Sequence, residues 1–263
     1  MKYFKFLFSC LIAFALVTGS AHAAKKNQGP SGAADEAKSS ELTRQAIIKA
    51  NSGAYDQSLT LFDAAVKAWN RNPAAFYNRG KVWMIQGKYD RAIGDFDKAL
   101  KLNPELASGY LARGMAFRLA GDFSRSVKDF TKVLTVDPKN TNALIHRAAI
   151  YFDMGEHESA LQDLDRILSL NPKMVDALGN RAYILEQMGR YDEAVNDLGA
   201  MIATDSNNVM ALKHLGHISR QKGEFDKALR WYQMALKVEP SPNVRTRIQD
   251  EISELQKKVG SSK

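Results

Sequence analysis

Large apolar side chains in this chain fall into two short stripes that recur along it. Take a frame of thirty-four residues beginning at Ser39. Position 4 is then Leu42, Phe76, Tyr110, Leu144, Leu178 and Leu212, and position 24 is Phe62, Phe96, Phe130, Leu164, Leu198 and Tyr232. Apolar residues at positions 4, 10 and 11, and again at 17, 21 and 24, follow the helical period. Each frame therefore predicts two amphipathic helices. The six frames run 39–72, 73–106, 107–140, 141–174, 175–208 and 209–242. Small residues mark where the two helices approach: Ala46, Gly80, Gly114, Ala148, Ala182 and Gly216 at position 8, and Ser58, Ala92, Ser126, Ala160, Ala194 and Ala228 at position 20. After the last frame, Val244, Ile248, Ile252, Leu255 and Val259 share one side of a further helix. Residues 243–263 read as a capping helix and tail, with a polar outer face that closes the stack.

The frames are punctuated by glycine and proline. Position 15 is always glycine: Gly53, Gly87, Gly121, Gly155, Gly189 and Gly223. A helix commonly ends in a left-handed residue, and glycine reaches that conformation without a Cβ clash. Two residues later stands a ring: Tyr55, Tyr89, Phe123, His157, Tyr191 or Phe225. The second helix ends before Pro104, Pro138, Pro172 and Pro240, whose preceding residues are held out of the helical region. Frame 1 has Asn70 and frame 5 has Ser206 where that proline is expected; Pro73 instead follows frame 1 and opens the next helix behind Asn72.

These residues resemble the tetratricopeptide repeat, over residues 39–242. The resemblance implies an all-α fold, a right-handed superhelical solenoid of six helix-turn-helix repeats. First helices would line a concave groove. Lys49, where an aromatic is usual, departs from the pattern, as do Asn70 and Ser206.

A charged pair comes and goes with the frames. Position 7 is Arg79, Arg113, Arg147 and Arg181 in frames 2–5, and position 23 is Asp95, Asp129, Asp163 and Asp197 in the same frames. Frame 6 loses both, to Leu215 and Trp231, and frame 1 has Gln45 and Leu61. The two positions are equally far from the turn, so antiparallel helices bring them together as an ion pair. If the family geometry holds, positions 2, 5, 6, 9, 12 and 13 face the groove. There Tyr77, Met84, Leu111, Met115, Leu119, Ile145 and Phe152 would stand in water as an apolar patch, the mark of a binding surface. In frames 5 and 6 those positions turn polar, with Asp176, Tyr183, Glu186, Gln187, Lys213, His217 and Arg220. Position 6 offers hydrogen-bonding groups in Arg44, Asn78, His146, Asn180 and His214. This is similar to the asparagine ladder of some peptide-reading relatives. The lysines of the family's chaperone-tail site are missing at their spacing, so chaperone C-termini are not expected partners. The binding set is thus Tyr77, Asn78, Met84, Leu111, Met115, Ile145, His146, Phe152, Asn180 and Tyr183.

Composition narrows the class. The chain is 45% hydrophobic, enough for a substantial core. Its net charge of +8 falls to +6 without Lys2 and Lys5, and the rest is interspersed rather than clustered, which argues against nucleic acid. Lys2 and Lys5, the apolar run Phe6–Val17 and Ala21-His22-Ala23 read as a cleavable signal peptide over residues 1–23. The run is short for a membrane span. The expected location is periplasmic or secreted, with membrane contact only during export. Residues 24–38 lack any apolar period and read as a disordered linker. Cys10 is the one cysteine, so the mature chain has neither disulfides nor thiolate metal sites. His214 and His217, three apart, have a spacing that can hold a metal, but structural or groove-facing histidines fit better, and neither a metal nor another cofactor is expected. No catalytic constellation stands out. The expectation is a non-catalytic scaffold of the cell envelope that binds a protein or peptide. The alternatives are self-association through the groove and binding of an envelope polysaccharide. Intact-mass measurement of the exported protein should show a chain beginning at Ala24; retention of residues 1–23 would make the leader an anchor.

Overall fold

The computed structural model describes residues 30–261, and among them every regular element is an α-helix. The helices are α1 (Pro30–Asn51), α2 (Tyr55–Ala68), α3 (Pro73–Ile85), α4 (Tyr89–Leu102), α5 (Ala107–Leu119), α6 (Phe123–Val136) and α7 (Thr141–Asp153). They continue as α8 (His157–Leu170), α9 (Val175–Gln187), α10 (Tyr191–Thr204), α11 (Val209–Gln221), α12 (Phe225–Val238) and α13 (Pro242–Ser261). The described residues up to Ile150 form one compact unit and those from Tyr151 form another. In the N-terminal unit α1 packs on α2, α3 on α4 and α5 on α6, with α2 against α3 and α4 against α5. In the C-terminal unit α8 packs on α9, α9 on α10, α10 on α11, α11 on α12 and α12 on α13. The fold is all-α, built of consecutive helix pairs. None of the described helices is long and apolar enough to cross a membrane.

The turn inside each pair is one structure repeated. All six position-15 glycines have positive φ, from +71° at Gly87 to +83° at Gly121. The N–H of Gly87 donates to the Met84 carbonyl at 3.0 Å and that of Lys88 to the Trp83 carbonyl at 2.9 Å. Those two bonds satisfy carbonyls that the end of α3 would otherwise leave open.

Position 8 meets position 24 at the centre of the pairs α3–α4, α5–α6 and α11–α12. A Cβ added to Gly80 would lie 2.8 Å from the Phe96 ring, one added to Gly114 3.2 Å from Phe130, and one added to Gly216 3.0 Å from Tyr232. Where position 8 is Ala148 or Ala182, position 24 shrinks to Leu164 or Leu198. Ala46 opposite Phe62 is the exception. Serine at position 20 adds a hydrogen bond across the same contact. Ser58 Oγ donates to the Ala46 carbonyl at 2.8 Å, and Ser126 Oγ donates to that of Gly114.

Loops between pairs rest on Asx turns. Asn103, Asp137 and Asn171 each accept from the N–H two residues on, at 3.2 Å. Asp205, followed by Ser206 instead of proline, makes the same bond at 2.9 Å. Frame 1 uses another device. Asn72 Oδ1 caps α3 by accepting from Ala74 and Ala75, while its Nδ2 donates to Ser39 Oγ at 3.0 Å and to Thr43 Oγ1 at 3.3 Å. The buried cap thus ties α3 to α1.

One expectation is corrected. Residues 30–38 are not a disordered linker but the first turns of α1. They hold Ala33, Ala34, Glu36, Ala37 and Lys38 behind Pro30. Alanine, glutamate and lysine favour helix intrinsically, and proline suits a first turn. These side chains are mostly exposed, so no apolar period announces the helix. The signal peptide, residues 1–23, and residues 24–29 lie outside the described residues.

The Gly80–Phe96 contact gives a paired test. Gly80→Ala should destabilise by about 1–3 kcal/mol, because the added methyl meets a buried ring. Gly94→Ala, in α4 with open space around its Cβ, should stabilise by about 0.5–1 kcal/mol. Urea unfolding of both variants measures the difference.

Candidate functional site

The arginines at position 7 are placed by the middle of each first helix and by the second helices on either side. Arg79 grips Asp95 with two bonds, Nε to Oδ2 at 2.8 Å and Nη2 to Oδ1 at 2.6 Å. Arg113 holds Asp129 the same way, at 2.8 Å for both bonds, and Arg181 holds Asp197 at 2.8 and 2.6 Å. Each arginine has a second partner that the sequence reading missed. Nη1 of Arg79 reaches Asp63, that of Arg113 Asp97 and that of Arg181 Asp165, all at 2.7 Å. Arg147 Nη1 donates to Thr131 Oγ1 at 2.9 Å, and Asp163 is buried. The signal was present: the partners stand sixteen residues before and sixteen after the arginine, at position 25 of one frame and position 23 of the next. Before frame 6 position 25 becomes Gly199, and there the arginine is also gone.

The two partners differ in burial. The Asp129 side chain is 6% exposed and that of Asp97 54%. Hydrogen bonding to the carboxylates raises the arginine pKa values further, so the guanidinium stays charged. In frames 2 and 3, where position 4 is a ring, the guanidinium also lies over it, Arg79 over Phe76 at 5.6 Å and Arg113 over Tyr110 at 5.5 Å.

The sequence-derived binding residues fall into both units, and the expectation that the apolar ones stand in water is corrected. In the N-terminal unit Tyr77, Met84 and Ile145 are buried, and Leu111 and Met115 are half-buried. Tyr77 packs at 5.9 Å on Phe96, and Met84 joins the same cluster. Neighbouring helices cover these side chains, which a single-helix projection cannot show. What remains exposed on the first helices of this unit is Ile48 on α1, Ile85 on α3 and Leu119 on α5, the last large apolar residue of each. His146 stacks on Phe130 at 5.5 Å; burial, then Arg118, pushes its pKa down to about 4, so it is neutral. Lys81, not singled out from the sequence, is buried with its ammonium 5.5 Å from the Tyr77 ring centroid, and burial pushes it down to about 8.

In the C-terminal unit the rings form a chain. Phe152 stacks on His157 at 5.0 Å and meets Tyr183 at 5.7 Å, and Tyr183 meets His214 edge-on at 6.1 Å. His214 and His217 turn their Nδ1 atoms to Glu186. Among the described residues no group of three or more His, Cys, Asp or Glu is placed to hold a metal ion.

Two asparagines stand out. Asn78 and Asn180 occupy position 6 of α3 and α9, are 0% and 2% exposed, and each has an Oδ1 with no hydrogen-bond partner among the described residues. Asn78 Nδ2 donates to the Ala74 carbonyl at 2.9 Å, which turns its oxygen away from its own helix. A buried acceptor left unpaired is costly.

Four family models, each described as tetratricopeptide repeat, match residues 73–106, 111–175, 147–214 and 211–246. The chain belongs to the tetratricopeptide repeat family. Its fold is similar to that of YrrB, described as a TPR protein with an unusual peptide-binding site: 21% identity over 72% of this chain and 97% of that one, TM-score 0.59. It is similar to MamA, at 23% identity over 60% of this chain and 93% of that one, TM-score 0.57. It is also similar to yeast Tom70, at 21% identity over 84% of this chain and 47% of that one, TM-score 0.58. At these identities the likeness is one of fold. No curated protein sequence is significantly similar to the chain.

The double grip of Arg113 predicts unequal carboxylates. Asp129→Leu, which strands a part-buried guanidinium, should cost about 3 kcal/mol, and Arg113→Leu with Asp129→Leu less than the sum of the single changes. Asp97→Leu, at the exposed end, should cost about 0.5 kcal/mol. A double-mutant cycle by chemical denaturation checks both.

Proposed function

We propose that this chain is an exported, non-catalytic scaffold of the cell envelope that binds an extended protein or peptide on the first-helix faces of its repeats. The observation that carries this reading is the set of large apolar side chains left exposed on first helices of the N-terminal unit, Ile48, Ile85 and Leu119. Exposed apolar side chains of that kind suit a partner's apolar side chains. In the N-terminal unit exposed Ile85 and Leu119 and half-buried Leu111 and Met115 supply apolar contact for partner side chains. In the C-terminal unit the Phe152–Tyr183 rings and exposed Asp176 and Gln187 supply a more polar surface. The fold shared with YrrB, a protein described by its peptide-binding site, supports a peptide as the ligand class. The signal-peptide pattern of residues 1–23 supports export.

Cross-linking in the envelope followed by mass spectrometry tests this reading, with the wild type beside two variants. Asp176→Lys/Gln187→Lys alters exposed polar residues of the C-terminal unit. Ile85→Glu/Leu119→Glu alters only exposed side chains. Both should lose the wild type's partners while unfolding within about 1 kcal/mol of it. Recovery of the same partners from both variants would place binding elsewhere on the protein.

A further inference from the structure

Glu186 is a buried carboxylate that the repeat pattern does not account for. It stands at position 12 of its frame, where the other frames carry Ala50, Met84, Arg118, Phe152 and Arg220. Its side chain is 5% exposed. Oε2 meets His214 Nδ1 at 2.6 Å, and Oε1 meets His217 Nδ1. Both carboxylate oxygens on α9 are thus engaged by imidazoles one turn apart on α11. We propose that Glu186, His214 and His217 form a pH-dependent latch between α9 and α11, tight when His217 is an imidazolium and loose when it is neutral.

Countercharge decides how tightly the latch holds. A buried carboxylate is costly unless an opposite charge and hydrogen bonds compensate it. On α11 the other nearby cation, Arg220, is held by Glu251 and Glu254 of α13. Lys222, at the C-terminal end of α11, reaches Asp192 of α10 at 2.7 Å. Lys213 lies on α11 beside His214. Tyr183, on α9 with Glu186, remains a neutral phenol, because burial and then Glu186 raise its pKa. The groups that meet Glu186 directly are the two imidazoles, and a charged His217 is a countercharge in contact with it. A neutral His217 with its proton on Nδ1 can still donate to Glu186, so deprotonation removes the charge and keeps the bond. Gln221, 3.1 Å from His217 Nε2, suits either state through its two-ended amide.

The signs follow from the shifts. Hydrogen bonding to Glu186 raises the His217 pKa against the effect of burial, with Glu251 adding to the rise and Arg220 opposing it. Burial works to raise the Glu186 pKa, but its bonds to His214 and His217 prevail and hold it at about 2. The His217 contribution is fully present below the ordinary histidine value and fades as pH rises through the raised one. The Glu186 contribution is present above the ordinary glutamate range and fades as pH falls toward 2. The latch is tightest between those limits and opens on the alkaline side. Because Tyr183 meets His214 edge-on, the latch borders the ring chain.

Histidine NMR and amide exchange on the purified protein test the latch. The His217 Cε1 resonance should titrate above the ordinary histidine pKa in the wild type and at or below it in Glu186→Gln. Exchange in α11, corrected for its intrinsic rate, should be slower at pH 6 than at pH 8.5 by at least about threefold, and that difference should vanish in Glu186→Gln. Should Glu186→Gln fail to fold, the wild-type titration and loss of the exchange difference in His217→Gln decide the matter. A His217 that titrates at or below its ordinary value, or α11 protection that ignores pH, overturns the proposal.

Discussion

Everything in this protein depends on how closely two helices can approach at the middle of each repeat. A two-helix unit cannot bury its apolar faces unless a large residue on one helix seats against the backbone of the other. Position 24 supplies the large residue and position 8 makes room for it. Gly80 meets Phe96, Gly114 meets Phe130 and Gly216 meets Tyr232, so the ring fills the space a side chain at position 8 would take. Interiors packed to crystal density respond to a single methyl. This contact therefore fixes the geometry to which the turn, the caps and the ion pairs conform.

The arginine at position 7 works on a longer scale. Its buried carboxylate partner closes its own repeat, and its exposed one reaches back to the repeat before. The brace thus serves both the pair and the stack. Frame 6 shows what happens when it ends. Leu215 and Trp231 replace the pair, and Trp231 packs against an apolar cluster to which α13 contributes Ile248, Ile252 and Leu255. The position-7 brace gives way there to an apolar contact with α13, beside which Arg220 still reaches Glu251 and Glu254.

The first-helix faces carry what chemistry the repeats leave free. In the N-terminal unit that face ends in exposed Ile85 and Leu119 over a buried interior. In the C-terminal unit it carries rings, imidazoles and one buried carboxylate. Asn78 and Asn180 occupy the same register position in the two units and share the same unpaired oxygen.

The helix pairs were legible in the sequence because their signals are local. Glycine at position 15 follows from φ, the helical stripes from the period, and the arginine's inner carboxylate from symmetry about the turn. The start of α1 was not legible, because an exposed alanine-rich helix has no apolar period to read. The outer carboxylate at position 25 recurs with the arginine, but reading it as a partner needs the packing of one repeat on the next. Exposure was misjudged for the same reason: Tyr77, Met84 and Ile145 occupy groove register positions, yet neighbouring helices bury them. Glu186 and the two histidines were read separately, as polar residues and as a bare spacing. Only the tertiary structure joins them, since their meeting depends on the distance between α9 and α11, and helix spacing is decided by the packing of side chains that lie far apart in the chain.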